Sequence, residues 1–154
     1  MAHHLCIIIC VNFPSILSFL SPNESHEDSV LIGIIVFVVF GLPAVIIHVN
    51  YYLVNKDDIL KYSDEHRKIV IIHKGVTTTF SLDDIDYVKQ YISFNEAENR
   101  SPVATWDEYN HSVIYLKDGK IFTITSLLVA KLELPIENKK IVRKKNIYRL
   151  AKIR

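Results

Sequence analysis

Hydrophobic and polar positions divide this chain into two regimes. Residues 30–49, VLIGIIVFVVFGLPAVIIHV, run for twenty positions without Asp, Glu, Lys or Arg. A helix of that length measures ~30 Å at ~1.5 Å per residue, the hydrocarbon thickness of a bilayer. An amphipathic soluble helix carries a polar stripe, and this run has none. The pattern predicts a transmembrane helix. Residues 5–20, LCIIICVNFPSILSFL, form a second apolar run, of sixteen, interrupted by Asn12 and Pro14. Two readings of residues 1–20 fit it. One is a first transmembrane helix, which turns the N-terminal region into a membrane hairpin around an external loop at 21–29. The other is a signal-like segment. The opening MAHH has no Lys or Arg and no A-x-A site follows, which favours the hairpin.

Beyond residue 49 the pattern becomes that of strands, and residues 50–136 read as one β domain. KIVIIH (68–73) and VTTTF (76–80) flank His73-Lys74-Gly75, a turn with glycine available for positive φ. Residues 59–62 suggest a short strand before them. In residues 85–94, IDYVKQYISF, alternation puts Ile85, Tyr87, Lys89 and Tyr91 on one face and Asp86, Val88, Gln90, Ile92 and Phe94 on the other. Residues 95–110 read as a long loop. HSVIYLK (111–117) and KIFTIT (120–125) flank Asp118-Gly119, the signature of a hairpin closed by a type I′ turn. SLLVAKLEL (126–134) breaks the alternation and reads as a short helix ended by Pro135. Residues 137–154 fit neither period, and helix, strand and frayed tail all remain open there.

Charge orients the membrane segment. Net charge is only +1, so no global field steers partners. Residues 21–29 carry three acids and no Lys or Arg, whereas Lys56, Lys61, Arg67 and Lys68 follow the apolar run. By the positive-inside rule the C-terminal domain is cytoplasmic, with Asn50, Tyr51 and Tyr52 at the interface. The two cysteines, Cys6 and Cys10, both lie in the apolar run at residues 5–20, so the β domain cannot form a disulfide.

Searching for chemistry returns little. No G-x-G-x-x-G, P-loop, G-x-S-x-G or H-E-x-x-H occurs, and no cofactor or metal is implied. Asp83, Asp84 and Asp86 could offer oxygen ligands, but their spacing is that of an ordinary turn. Trp106, Asp107, Tyr109 and His111 form the richest polar constellation. It is a candidate partner-binding loop or, with Glu108, the polar site of a small membrane enzyme or an accessory subunit. Residues 137–154 hold eight basic residues against one acid. Of these, Lys139, Lys140, Arg143, Lys144, Lys145 and Arg149 are candidate contacts for anionic lipid headgroups, each charge contributing ~1 kcal/mol near such a surface. No nucleic-acid motif accompanies the charge, so the expected partners are the bilayer and a protein.

Residues 67–75, RKIVIIHKG, followed by residues 80–88, FSLDDIDYV, and then the Asp-Gly hairpin resemble the PH-like domains of small bacterial membrane proteins. The likeness covers roughly residues 56–135. It implies a membrane α plus β architecture, with a half-open antiparallel PH-like β-barrel closed at one end by a C-terminal helix. It also implies a non-enzymatic interaction module, and it brings no catalytic residues.

Overall fold

A computed structural model describes residues 26–152. The apolar run at 5–20 lies outside the described residues, so the expected hairpin is untested. The chain divides into two units, Met1–Pro43 and Ala44–Arg154. In the first, helix α1 (His26–Val36) passes into a π-helical turn, Phe37–Gly41. Pro43 explains the irregularity. It has no N–H to give the carbonyl four residues earlier, and the ladder shifts so that the Leu42 N–H donates to the Phe37 carbonyl. Helix α2 (Leu42–Asn55) follows. By length and composition one 27-residue helix, Ser29–Asn55, is apolar enough to cross a membrane.

Seven strands follow. β1 (Asp58–Ser63), β2 (Lys68–His73) and β3 (Val76–Ser81) make an antiparallel sheet in chain order. A 3₁₀ turn, Leu82–Asp84, leads to the second sheet of β4 (Ile85–Ile92), β5 (His111–Leu116), β6 (Ile121–Thr125) and β7 (Ile141–Lys145), ordered β6-β5-β4-β7. β7 runs parallel to β4. The undecided stretch after residue 137 is therefore partly an edge strand, because Ile141 finds an apolar place beside Val88.

Both hairpins form, and the type I′ turn expected at Asp118-Gly119 is found at Lys74-Gly75 instead. Between His73 and Val76 only Lys74 and Gly75 intervene, and both have positive φ (47° and 83°). That is the type I′ turn. At the Asp-Gly hairpin Leu116 pairs with Lys120, leaving a three-residue loop. Asp118 keeps a negative φ and only Gly119 is left-handed (φ 86°), with its N–H donating to the Leu116 carbonyl. This is a type I turn with a G1 bulge, which corrects the expected type I′.

Two further expectations change. β4 does not alternate strictly, because a bulge between Ile85 and Tyr87 inserts an extra residue opposite β5. The bulge resets the phase, so Ile85 and Val88, three residues apart, are both buried. Residues 126–134 form no helix, and no α-helix follows β6 among the described residues. Leu132 is buried, and Leu134 and Ile136 are half-buried against the core. Lys131 and Glu133 face outward in an ion pair of 2.8 Å. This alternation of period two buries three apolar groups in an extended chain, which a helix broken at Pro135 could not do.

The main core lies between the sheets. Ile69, Ile71 and Phe80 from the first meet Val88, Ile114 and Phe122 from the second, with the Phe80 and Phe122 rings stacked at 5.3 Å. Ile114 is fully buried and Ile121 is half exposed. We expect Ile114→Ala to lower unfolding free energy by about 2–5 kcal/mol, and Ile121→Ala by far less. Denaturant titration of the full chain in detergent measures the difference.

Candidate functional site

The last turns of α2 belong to the sheet domain. Ile47, Tyr51 and Val54 form a buried stripe spaced four and three residues apart, packed with Ala151 and flanked by Trp106 and Tyr109. Two asparagines on this helix use their side-chain amides as surrogate peptide groups. The Asn55 amide donates to the Thr123 carbonyl (2.9 Å) and accepts from the Thr125 N–H (2.9 Å), which covers the outer edge of β6. Asn50 does the same for Ala151, accepting its N–H at 2.8 Å and donating to its carbonyl at 3.0 Å. The expected cap is a C-terminal helix, but the helix docked on the sheet is the one that precedes it in sequence.

His111 sits under this helix, not in a surface loop. It is 4% exposed, on β5, stacked on Tyr91 at 4.5 Å. Its Nδ1 lies 3.0 Å from the Tyr51 hydroxyl. Burial pushes its pKa down to about 4, while a hydrogen bond to the Arg149 backbone pushes the other way. A neutral ring fits both partners. Nε2–H donates to the Arg149 carbonyl, and Nδ1 accepts from Tyr51.

Arg149 organises the rest. Its guanidinium is buried and donates to the carbonyls of Tyr109, Trp106, Asn146 and Ile147. Burial pulls its pKa down, and the Tyr51 hydroxyl and the Asp107 carboxylate hold it up. Arg149 therefore leaves the candidate headgroup set, because a side chain enclosed by four carbonyls cannot reach a lipid. Asp107 is equally committed. Its Oδ2 accepts from the N–H groups of Val103 (2.9 Å) and Ala104 (3.0 Å) and from the Asn95 amide (2.7 Å). Burial raises its pKa, but these hydrogen bonds and Arg149 prevail and hold it below the usual carboxylate range. His111 and Asp107 are thus corrected from partner-contact residues to internal ones. Trp106 and Tyr109 are only half-buried, with Trp106 tilted against Tyr148 at 6.0 Å. Glu108 is exposed.

The remaining basic candidates cluster on and before β7. Lys144 is exposed, Lys139 is paired with Glu137 at 2.6 Å, and Lys145 with Glu98 at 3.4 Å. Arg143 reaches Gln90 at 3.4 Å from an exposed position. Lys140 is half-buried and donates to the Ile85 carbonyl at 2.8 Å. The acidic trio is structural in part, since the Asp84 carboxylate accepts the Ser81 N–H in a capping box. Among the described residues, no group of three or more metal-ligating side chains gathers. Sequence reasoning missed Asn50, Tyr51 and Asn55 as domain contacts. The signal was there, in polar groups placed at the end of a charge-free helix.

Two outcomes test this arrangement. The folded-state pKa of His111 is depressed, so its neutral form is stabilising above the unfolded value of about 6.5. That contribution is lost as pH falls toward about 4, on the order of 3 kcal/mol in full. Thermal melts of the full chain across this window should fall steeply, and His111→Gln should fall less. Arg149→Met strands several buried carbonyls and should destabilise by about 3 kcal/mol or more. Lys144→Met should change stability by less than ~0.5 kcal/mol.

Comparison with known proteins supplies the family. The family model described as a PH domain matches residues 2–135, a span that takes in the apolar N-terminal region and ends before β7. No curated protein and no solved structure matches. With the match covering most of its length, and with antiparallel sheets joined to an apolar helix, the chain belongs to the PH domain family.

Proposed function

We propose that this protein is a non-enzymatic, membrane-anchored PH module that holds its sheet domain on the cytoplasmic face and offers a basic strand to anionic lipid headgroups. PH domains are interaction modules for lipids or proteins, and the family match supports that much. One observation carries the finer reading. A charge-free helix ends only two residues, Lys56 and Asp57, before β1, and the same domain exposes Lys139, Arg143, Lys144 and Lys145. Lys144 and Lys145 pair with Tyr91 and Ile92 beside His111, the end on which the helix docks, so a short link supports their reaching the leaflet the helix leaves. An anionic surface then attracts each of them by ~1 kcal/mol. The Lys and Arg excess after the helix supports a cytoplasmic domain. His111 and Asp107 are both engaged in internal hydrogen bonds, which supports a role without catalysis.

The test uses the full chain in nanodiscs. Anionic lipid should be retained around the protein in preference to zwitterionic lipid when it is extracted and weighed by native mass spectrometry. Changing Lys139, Arg143, Lys144 and Lys145 together to Gln should remove the preference, as should high salt. Equal retention by the wild type and this variant would exclude the basic strand. A reporter fused after Arg154 should be active only in its cytoplasmic form.

A further inference from the structure

We infer that the C-terminal strap, residues 146–152, and the loop between β4 and β5 form a second membrane contact, an apolar collar seated in the interfacial layer of the bilayer. The inference rests on the proposed membrane anchoring and adds a site outside the basic strand. The strap itself also lies beyond the matched residues 2–135.

Depth is fixed by two hydrogen bonds. Asn50 immediately follows the apolar run read as the span, residues 30–49, and its amide holds the Ala151 N–H and C=O at 2.8 and 3.0 Å. The strap backbone is therefore held at the level where the helix leaves hydrocarbon. A helix of 27 residues is ~40 Å long, about 10 Å more than hydrocarbon requires. The surplus corresponds to the turns from Ile47 onward, which are packed on the domain.

The strap alternates. Arg149 and Ala151 point inward, and Tyr148, Leu150 and Lys152 point outward. Tyr148 is 59% and Leu150 53% exposed, and Ile147 beside them is 57% exposed. On the loop that Asp107 and Arg149 anchor, Val103 is 87% exposed, and Trp106 lies against Tyr148. Soluble surfaces seldom gather such side chains, whereas Trp and Tyr favour the headgroup level. The flanking Lys144 and Lys152 suit an anionic leaflet. Arg149 ties strap and loop together, so the outward groups are held in place and cannot fold back under the domain.

The experiment is nitroxide depth measurement on the full chain in nanodiscs of mixed zwitterionic and anionic lipid, with Cys6→Ser and Cys10→Ser. Single labels enter at Leu150→Cys, Val103→Cys, Lys117→Cys and Val38→Cys, all exposed positions. The ratio of oxygen to nickel-chelate accessibility should be several-fold higher at 150 and 103 than at 117, which lies beyond the opposite end of β5. It should be highest at 38. If 150 and 103 are as aqueous as 117 while 38 is in hydrocarbon, the collar is excluded and the anchor stands. If 38 is aqueous, the anchor fails and the collar with it. Labels at 150 and 103 shielded from both reagents would indicate a protein contact and would also overturn the collar.

Discussion

The buried guanidinium of Arg149 is the constraint around which this domain is arranged. A charge taken out of water is tolerated only when nearly every donor is used, and Arg149 meets that demand with carbonyls from two separate stretches of chain. Its donations to Trp106 and Tyr109 fix the loop after β4, and those to Asn146 and Ile147 fold the strap around it. Its own carbonyl then accepts from His111 on β5. Two parts of the chain some forty residues apart, residues 106–111 and the strap, become one cluster through a single side chain.

Helix α2 is coupled to the same cluster. Tyr51 bonds His111, His48 approaches the Tyr109 hydroxyl at 3.0 Å, and Asn50 grips the strap. Asn55, one turn on, closes the exposed edge of β6 and also touches Asp58 at 2.6 Å, just where the first sheet begins. An open strand edge invites pairing with other chains, and here a helix-borne amide occupies it. The docked helix thus protects an edge as well as burying an apolar stripe. A PH domain whose capping element precedes its sheets has the end of its apolar N-terminal helix built into its core.

The two ends of the second sheet differ accordingly. At the His111 end, aromatic rings and hydrogen bonds bind the sheet to the helix. Toward the other end, Tyr87 and Tyr115 stack at 4.3 Å with the Lys89 ammonium 5.3 Å from the Tyr115 ring. Polar tips on apolar bodies let that face meet water. At the first end the strap, the loop and the Lys144–Lys145 end of the basic strand gather near the helix.

The sequence by itself determined the charge-free helix, both hairpins, the strand after each turn and the PH resemblance, because these depend on periodicity and on turn residues adjacent in the chain. The type of each turn was not legible, since register between the strands decides whether Asp118 must adopt positive φ. Nor was the alternating course of residues 132–136, where apolar side chains have a choice of conformation until a core is present to receive every second one. Only the tertiary structure moved Arg149 from surface charge to interior hub and His111 from candidate site to buried partner. Their roles depend on which distant carbonyls and hydroxyls surround them. Burial is a property of the assembled fold, and no local pattern of residues carries it.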